Sequence, residues 1–162
     1  MLGLSLSAFT TLHVVISLVG IVAGLAVLPG ILGGQRPGQL TLLFLVTTAL
    51  TSITGFMFPF NGLLPSHVVG GISLAVLALA FLGLYLFGLA GAWRWIYAVG
   101  AVAGLYFNVF VLIAQAFQKV GPLHALAPTQ SEPPFAIAQV ALLVVFLFLG
   151  TRAVKRFHPA AA

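Results

Sequence analysis

Four histidines, His13, His67, His124 and His158, and one acidic residue, Glu132, are the side chains of this 162-residue chain best suited to hold a metal or exchange a proton near neutral pH. Cysteine is absent, which removes disulfides, thiolate metal sites and covalent c-type haem attachment. A bound metal must therefore rest on imidazole, carboxylate or backbone groups. Two neutral imidazoles on facing segments would suit the axial positions of a b-type haem. His13 and His67 with His124 or Glu132 would suit a copper-like divalent ion. These candidates lie far apart along the chain and form no HxxxH or similar motif. Aspartate is also absent, as are a glycine-rich phosphate loop and a nucleophile elbow, so nothing supports nucleophilic hydrolysis or phosphoryl transfer. Proton-driven transport usually wants buried carboxylates, and the one candidate sits on a loop.

The elements that must position these residues follow from composition. Hydrophobic residues make up 62% of the chain and charged ones 4%, where a soluble domain carries roughly a quarter charged. A soluble fold with so few charges would precipitate. At about 20 apolar residues per crossing, the length fits several transmembrane helices and no separate soluble domain. The apolar stretches are continuous rather than alternating, which favours helices over the strands of a membrane barrel. The pattern predicts an all-α membrane protein, one domain over residues 1–162, with five spans at about 8–32, 39–58, 65–87, 93–119 and 135–152. Breaks fall at Gly33-Gly34, at the turn Pro59-Phe60-Asn61-Gly62, at Gly88 to Gly91 and in the proline-containing loop from Pro122 to Pro134. Met1 to Ser7 contain no Lys or Arg, so the first apolar segment is expected to be a span rather than a signal peptide.

Charge bias sets the orientation. Arg36, Arg94, Arg152, Lys155 and Arg156 fall on one side of a five-span chain, and Lys119 on the other. Short cytoplasmic loops carry the excess of Lys and Arg, so the C-terminus is predicted in the cytoplasm and the N-terminus outside. The net charge of +5 is then a topology signal, not a nucleic-acid footprint. Trp93, Trp95 and Tyr97 suit an interfacial belt.

This topology places His13, His67, His124 and Glu132 toward the external side and His158 in the cytoplasmic tail. His13, Ser17, Gly20 and Gly24 share a helical face, as do Thr47, Thr51 and Thr54. Gly100, Gly104, Asn108 and Gln115 are expected to stay on one side of the fourth span, and Gln139 lies near the external end of the fifth. Polar groups avoid hydrocarbon, so an external-side pocket of His13, His67, Asn108, Gln115 and Gln139 is one expectation. Small-residue stripes and Ser, Thr, Asn and Gln also act as plain interhelical glue, which is the competing one. Glu132 reads either as a charge favoured at a helix N-terminus or as a ligand over the pocket. Tyr106 and Asn108 could alternatively face a quinone carbonyl, with Phe107 and Phe110 as walls.

The stretches Pro65-Ser66-His67-Val68-Val69-Gly70 and Leu126 to Phe135 resemble small multi-pass proteins of bacterial inner membranes, which implies that location and supplies no catalytic residues. In size and span count the chain is also similar to the tryptophan-rich sensory protein family. Trp93 and Trp95 are its only tryptophans, so that family's dispersed pattern is missing and its function is not carried over. The leading functional expectation is a bundle whose external pocket binds haem or a metal for redox or assembly chemistry. The alternatives are a non-catalytic subunit or scaffold, in a homo-oligomer or larger membrane complex, and a carrier of small neutral solutes. The lipid bilayer is the expected partner, and no nucleic acid is.

Overall fold

A computed structural model describes residues 3–59 and 65–159. Among these the chain is helical and forms no strand. Helix α1 spans Leu6–Leu32, α2 Gln39–Gly55, α3 Pro65–Phe81, α4 Trp93–Lys119, α5 Gly121–Leu126 and α6 Pro133–Arg156. A π-helical turn, Leu82–Leu86, extends α3. Four of these helices are long and apolar enough to cross a membrane: α1, α3 with its π turn, α4 and α6. The second predicted span, at about 39–58, is α2, which is apolar but only 17 residues long, about 25 Å at 1.5 Å per residue. The turn predicted at Pro59-Phe60-Asn61-Gly62 lies, from Phe60 onward, outside the described residues. The proline-containing loop before α6 was expected to be irregular, yet it holds the short helix α5, with Pro122 in its first turn where a missing N–H costs nothing.

Local chemistry accounts for the helix ends. Ser5 caps α1, its hydroxyl accepting from the Ala8 N–H at 3.3 Å. After α1 the chain turns through Gly34 at φ +70°, where a Cβ would stand 3.0 Å from the Arg156 carbonyl oxygen. Only glycine meets both demands there. The same contact brings the loop after α1 against the end of α6.

The long helices alternate in direction. Along α1 and α2, His13 meets Thr54 and Gly24 meets Phe44, so α2 runs back beside α1 from near its end to near its start. Ser52 with Ser73 and Phe56 with His67 set α3 antiparallel to α2. Tyr97 with Phe157 and Phe117 with Phe135 do the same for α4 and α6. Helix α4 is central, packing against α1, α2, α3 and α6, which follow one another around it in the order α3, α2, α1, α6. The core collects Leu105, Ala101 and Tyr97 from α4 with Phe44 and Leu45 from α2, Leu77 from α3 and Phe146 from α6.

Helix α6 is held by a single stripe, Gln139, Phe146 and Ala153, at seven-residue steps. Its other faces are apolar and open: Ile137 is 67% exposed and Val140, Val144 and Leu147 each 59%. Exposed apolar area on this scale calls for lipid or protein cover, and a bilayer is the environment that such helices suit.

Candidate functional site

The polar residues singled out by sequence occupy several helix interfaces rather than one. At the Lys119 end of the bundle, His13 Nδ1 lies 2.7 Å from the Thr54 hydroxyl. That hydroxyl points its single hydrogen back at its own helix, 2.7 Å from the Leu50 carbonyl and 3.2 Å from that of Thr51. Thr54 therefore accepts from His13, whose Nδ1 carries the proton and whose Nε2 is the acceptor nitrogen. Phe58 packs edge-on to the same imidazole at 5.2 Å.

One step deeper, the Ser17 hydroxyl donates to Asn108 Oδ1 at 3.0 Å, joining α1 to α4, and Asn108 is almost fully buried. Gly20 makes room for this contact. A Cβ there would lie 3.1 Å from Asn108 Nδ2 and equally close to the Thr47 and Thr48 hydroxyls. Between α2 and α3 the Ser52 hydroxyl donates to Ser73 at 3.2 Å. Between α4 and α6, Gln139 Nε2 donates to the Phe110 carbonyl at 3.1 Å. Among the described residues, four different helix interfaces thus carry cross-helix polar bonds, the α1–α4 one also including Asn108 Nδ2 to the Ser17 carbonyl at 3.5 Å. Three side-chain atoms in this region, Thr48 Oγ1, Gln115 Oε1 and Gln139 Oε1, are buried without a hydrogen-bond partner.

His67 lies on α3 against Phe56, ring centroids 5.7 Å apart. Helix α2 stands between α1 and α3, so His13 and His67 sit on helices that are not neighbours. His124 is exposed on α5, and His158 is exposed beyond α6. Among the described residues no three His, Asp or Glu side chains gather where they could hold one metal ion, so His13, His67, His124 and Glu132 are not brought together.

Glu132 stands at the N-cap position of α6 but makes no side-chain cap bond, folding its carboxylate over the preceding turn instead. It accepts from the Thr129 hydroxyl at 2.9 Å, the Thr129 N–H at 3.2 Å and the Ser131 N–H at 3.1 Å. Desolvation pushes its pKa up, but these bonds and one from its own backbone outweigh that and hold the carboxyl below the usual carboxylate value. Gln130, at φ +58°, reaches from the same turn to the Ala114 carbonyl at 2.7 Å and pins the loop to α4.

The stripe expected along α4 divides. Gly100 and Gly104 face α3, where added Cβ atoms would meet the Val76 carbonyl at 2.7 Å and Leu77 Cδ2 at 2.8 Å. Asn108 faces α1. Steps of four residues advance about 40° around a 3.6-residue helix, so a stripe read over several steps turns from one neighbour to the next. Ser73, the partner of Ser52, carried no sequence signal, being a lone serine in an apolar run.

No protein family, curated protein or solved structure matches this chain.

Proposed function

We propose that the chain is a multi-pass protein of a bacterial inner membrane that crosses it five times, N-terminus outside and basic end in the cytoplasm, and that it serves as a non-catalytic membrane subunit or scaffold. The observation that carries this reading is the distribution of polar bonds. His13–Thr54, Ser17–Asn108, Ser52–Ser73 and Gln139–Phe110 each tie a different pair of helices, as interhelical glue does, instead of converging on a ligand. The orientation is supported by Arg36, Arg94, Arg152, Lys155 and Arg156 against Lys119. The antiparallel run of α2 along α1 supports α2 as a short span, accommodated by local thinning of the bilayer.

A second reading, haem or a divalent metal at the external end, is favoured by His13 alone. With Nδ1 donating to Thr54, Nε2 has the lone pair a metal needs, and a fixed hydrogen bond at the other nitrogen is how ligating histidines are oriented. A complete ligand set would then need groups from a partner or a cofactor.

Purification of the full chain in mild detergent separates the two. The subunit reading expects stoichiometric co-purifying membrane protein or a defined homo-oligomer, with no Soret band and no stoichiometric metal. A lone protomer carrying stoichiometric haem or metal that is lost on His13→Ala would overturn it in favour of the second.

A further inference from the structure

At the Arg-rich end of the bundle, a cavity of about 270 Å³ opens between the end of α1, the loop that follows and the start of α2. Gln35, Arg36, Gly38, Thr41 and Tyr97 contribute to its wall. Three separate features give it donor character. Helix α2 begins here from Gly38 with no side-chain cap; the Thr41 N–H turns back to the Gly38 carbonyl at 3.0 Å, and the helix start ahead of it brings the positive end of its dipole to this cavity. The Arg36 side chain is exposed at the mouth, and Glu132, the chain's only acidic side chain, lies at the opposite end of the bundle. Tyr97 is 0% exposed, yet its hydroxyl makes no hydrogen bond of good geometry, with the Thr41 side chain as the polar group beside it.

A buried hydroxyl without a partner is uncommon enough to need a reason. The last turn of α1, whose carbonyls would repel an anion, is already capped. The Gly33, Gly34 and Gln35 N–H groups donate to the carbonyls of Pro29, Ile31 and Gly30 at 2.8, 3.2 and 2.8 Å. What remains in the cavity wall is the Arg36 side chain, the uncapped start of α2 with Thr41, the Gln35 side chain and Tyr97.

We propose that this cavity binds a phosphate group, with the Arg36 guanidinium, the N–H groups opening α2 and the Tyr97 hydroxyl as its donors. A helix N-terminus beside an arginine is a common solution for phosphate. Basic pockets between transmembrane helices at the membrane surface accept anionic lipid headgroups. The inference goes beyond the subunit reading and does not depend on which side of the membrane this end faces.

The test uses the full chain, purified and depleted of lipid in neutral detergent, and titrates three probes: phosphatidylglycerol, diacylglycerol with the same acyl chains, and inorganic phosphate. Binding is read by thermal shift and by native mass spectrometry. Arg36→Gln and Tyr97→Phe are compared with Arg152→Gln, an exposed cation outside the cavity. Phosphatidylglycerol is expected to stabilise the unmodified chain more than diacylglycerol does, the effect weakening as salt rises. Arg36→Gln and Tyr97→Phe should each reduce affinity about tenfold or more, the loss expected for one bond to a charged group, and Arg152→Gln should not. A matching response to inorganic phosphate would support the same site with a soluble ligand as its source. Equal responses to diacylglycerol and phosphatidylglycerol, no response to any probe, or an unchanged response in Arg36→Gln would overturn the proposal. Arg36 is exposed on a loop, so that variant keeps the test decisive even if Tyr97→Phe disturbs packing around Phe157.

Discussion

Gly100→Ala adds one methyl group at the point where α4 lies against the backbone of α3. The new carbon would stand 2.7 Å from the Val76 carbonyl oxygen and 3.1 Å from Ala80 Cβ. A relaxed carbon–carbonyl oxygen contact is about 3.3–3.6 Å, so the two helices must part by about 0.6 Å or more. Val76 O is a backbone atom inside a helix and cannot rotate aside as the end of a side chain would. Overpacking of this kind costs about 1–3 kcal/mol. Alanine also brings an intrinsic helical advantage of about 1 kcal/mol over glycine, which would mask part of the cost. Gly71→Ala on α3 supplies the reference, because a Cβ there meets no atom within 4 Å and only the intrinsic gain applies. The stability difference between the two variants isolates the packing cost, about 1–3 kcal/mol in favour of Gly71→Ala. Equilibrium unfolding in mixed micelles would measure it, with fluorescence from Trp93 and Trp95 at the start of α4 as the reporter. If Gly100→Ala proved as stable as Gly71→Ala, the close approach of α3 to α4 would be refuted, and with it the packing of the core around Leu77.

Three further outcomes are expected. A double-mutant cycle of Ser17→Ala and Asn108→Ala should give a coupling of about 0.6 kcal/mol and no more than about 1.7, the range for hydrogen bonds between membrane helices; zero coupling would deny the 3.0 Å bond. Thr48→Val should be neutral or stabilising in the same unfolding assay, because its buried hydroxyl has no partner, whereas Thr54→Val should cost about 1 kcal/mol by leaving the His13 Nδ1–H without an acceptor; the reverse order would count against both assignments. The Glu132 pKa is depressed from 4.5, so the order that its carboxylate gives the turn is fully present above that value and is lost as pH falls through the lower folded one. Hydrogen exchange at Thr129 and Ser131, corrected for intrinsic rate, should accelerate across that acidic window in the unmodified chain, and Glu132→Gln should abolish the pH dependence.

The helical segments were legible because hydropathy is a sum over neighbours in the chain. The predicted spans at 65–87 and 93–119 match α3 with its π turn and α4 closely, since Pro65, Gly88 and Trp93 punctuate them. The fifth was expected from 135 to 152 and runs from Pro133 to Arg156, because prolines are welcome in a first helical turn and the basic residues suit a last one. Helix α5 leaves no signal in the sequence, as six residues with Pro122 among them carry no period. The N-terminal charge reading of Glu132 put it at the correct helix end, although its carboxylate bonds the turn before α6 rather than capping the helix.

The polar positions fared differently. Ser17, Gly20 and Gly24 do share a face of α1, toward α2 and α4, and the two glycines mark close approaches there. The pocket assembled from His13, His67, Asn108, Gln115 and Gln139 rested on equal depth, which sequence can suggest, and on facing directions, which it cannot. His13 turns to Thr54, Asn108 to Ser17, and Gln139 to the Phe110 carbonyl.

By itself, the sequence determined that this chain is a set of apolar helices with five of its six Lys and Arg residues biased toward one end, because segment hydropathy and charge bias need no knowledge of neighbours. The tertiary structure decided which helix stands beside which, that α4 is the centre, that α2 separates His13 from His67, and that Arg36 and Tyr97, 61 positions apart, border one cavity. The physical reason is rotation. A helix can turn about its axis with no change in hydropathy, and its angle is set only where glycines admit a neighbouring backbone and buried polar groups find each other.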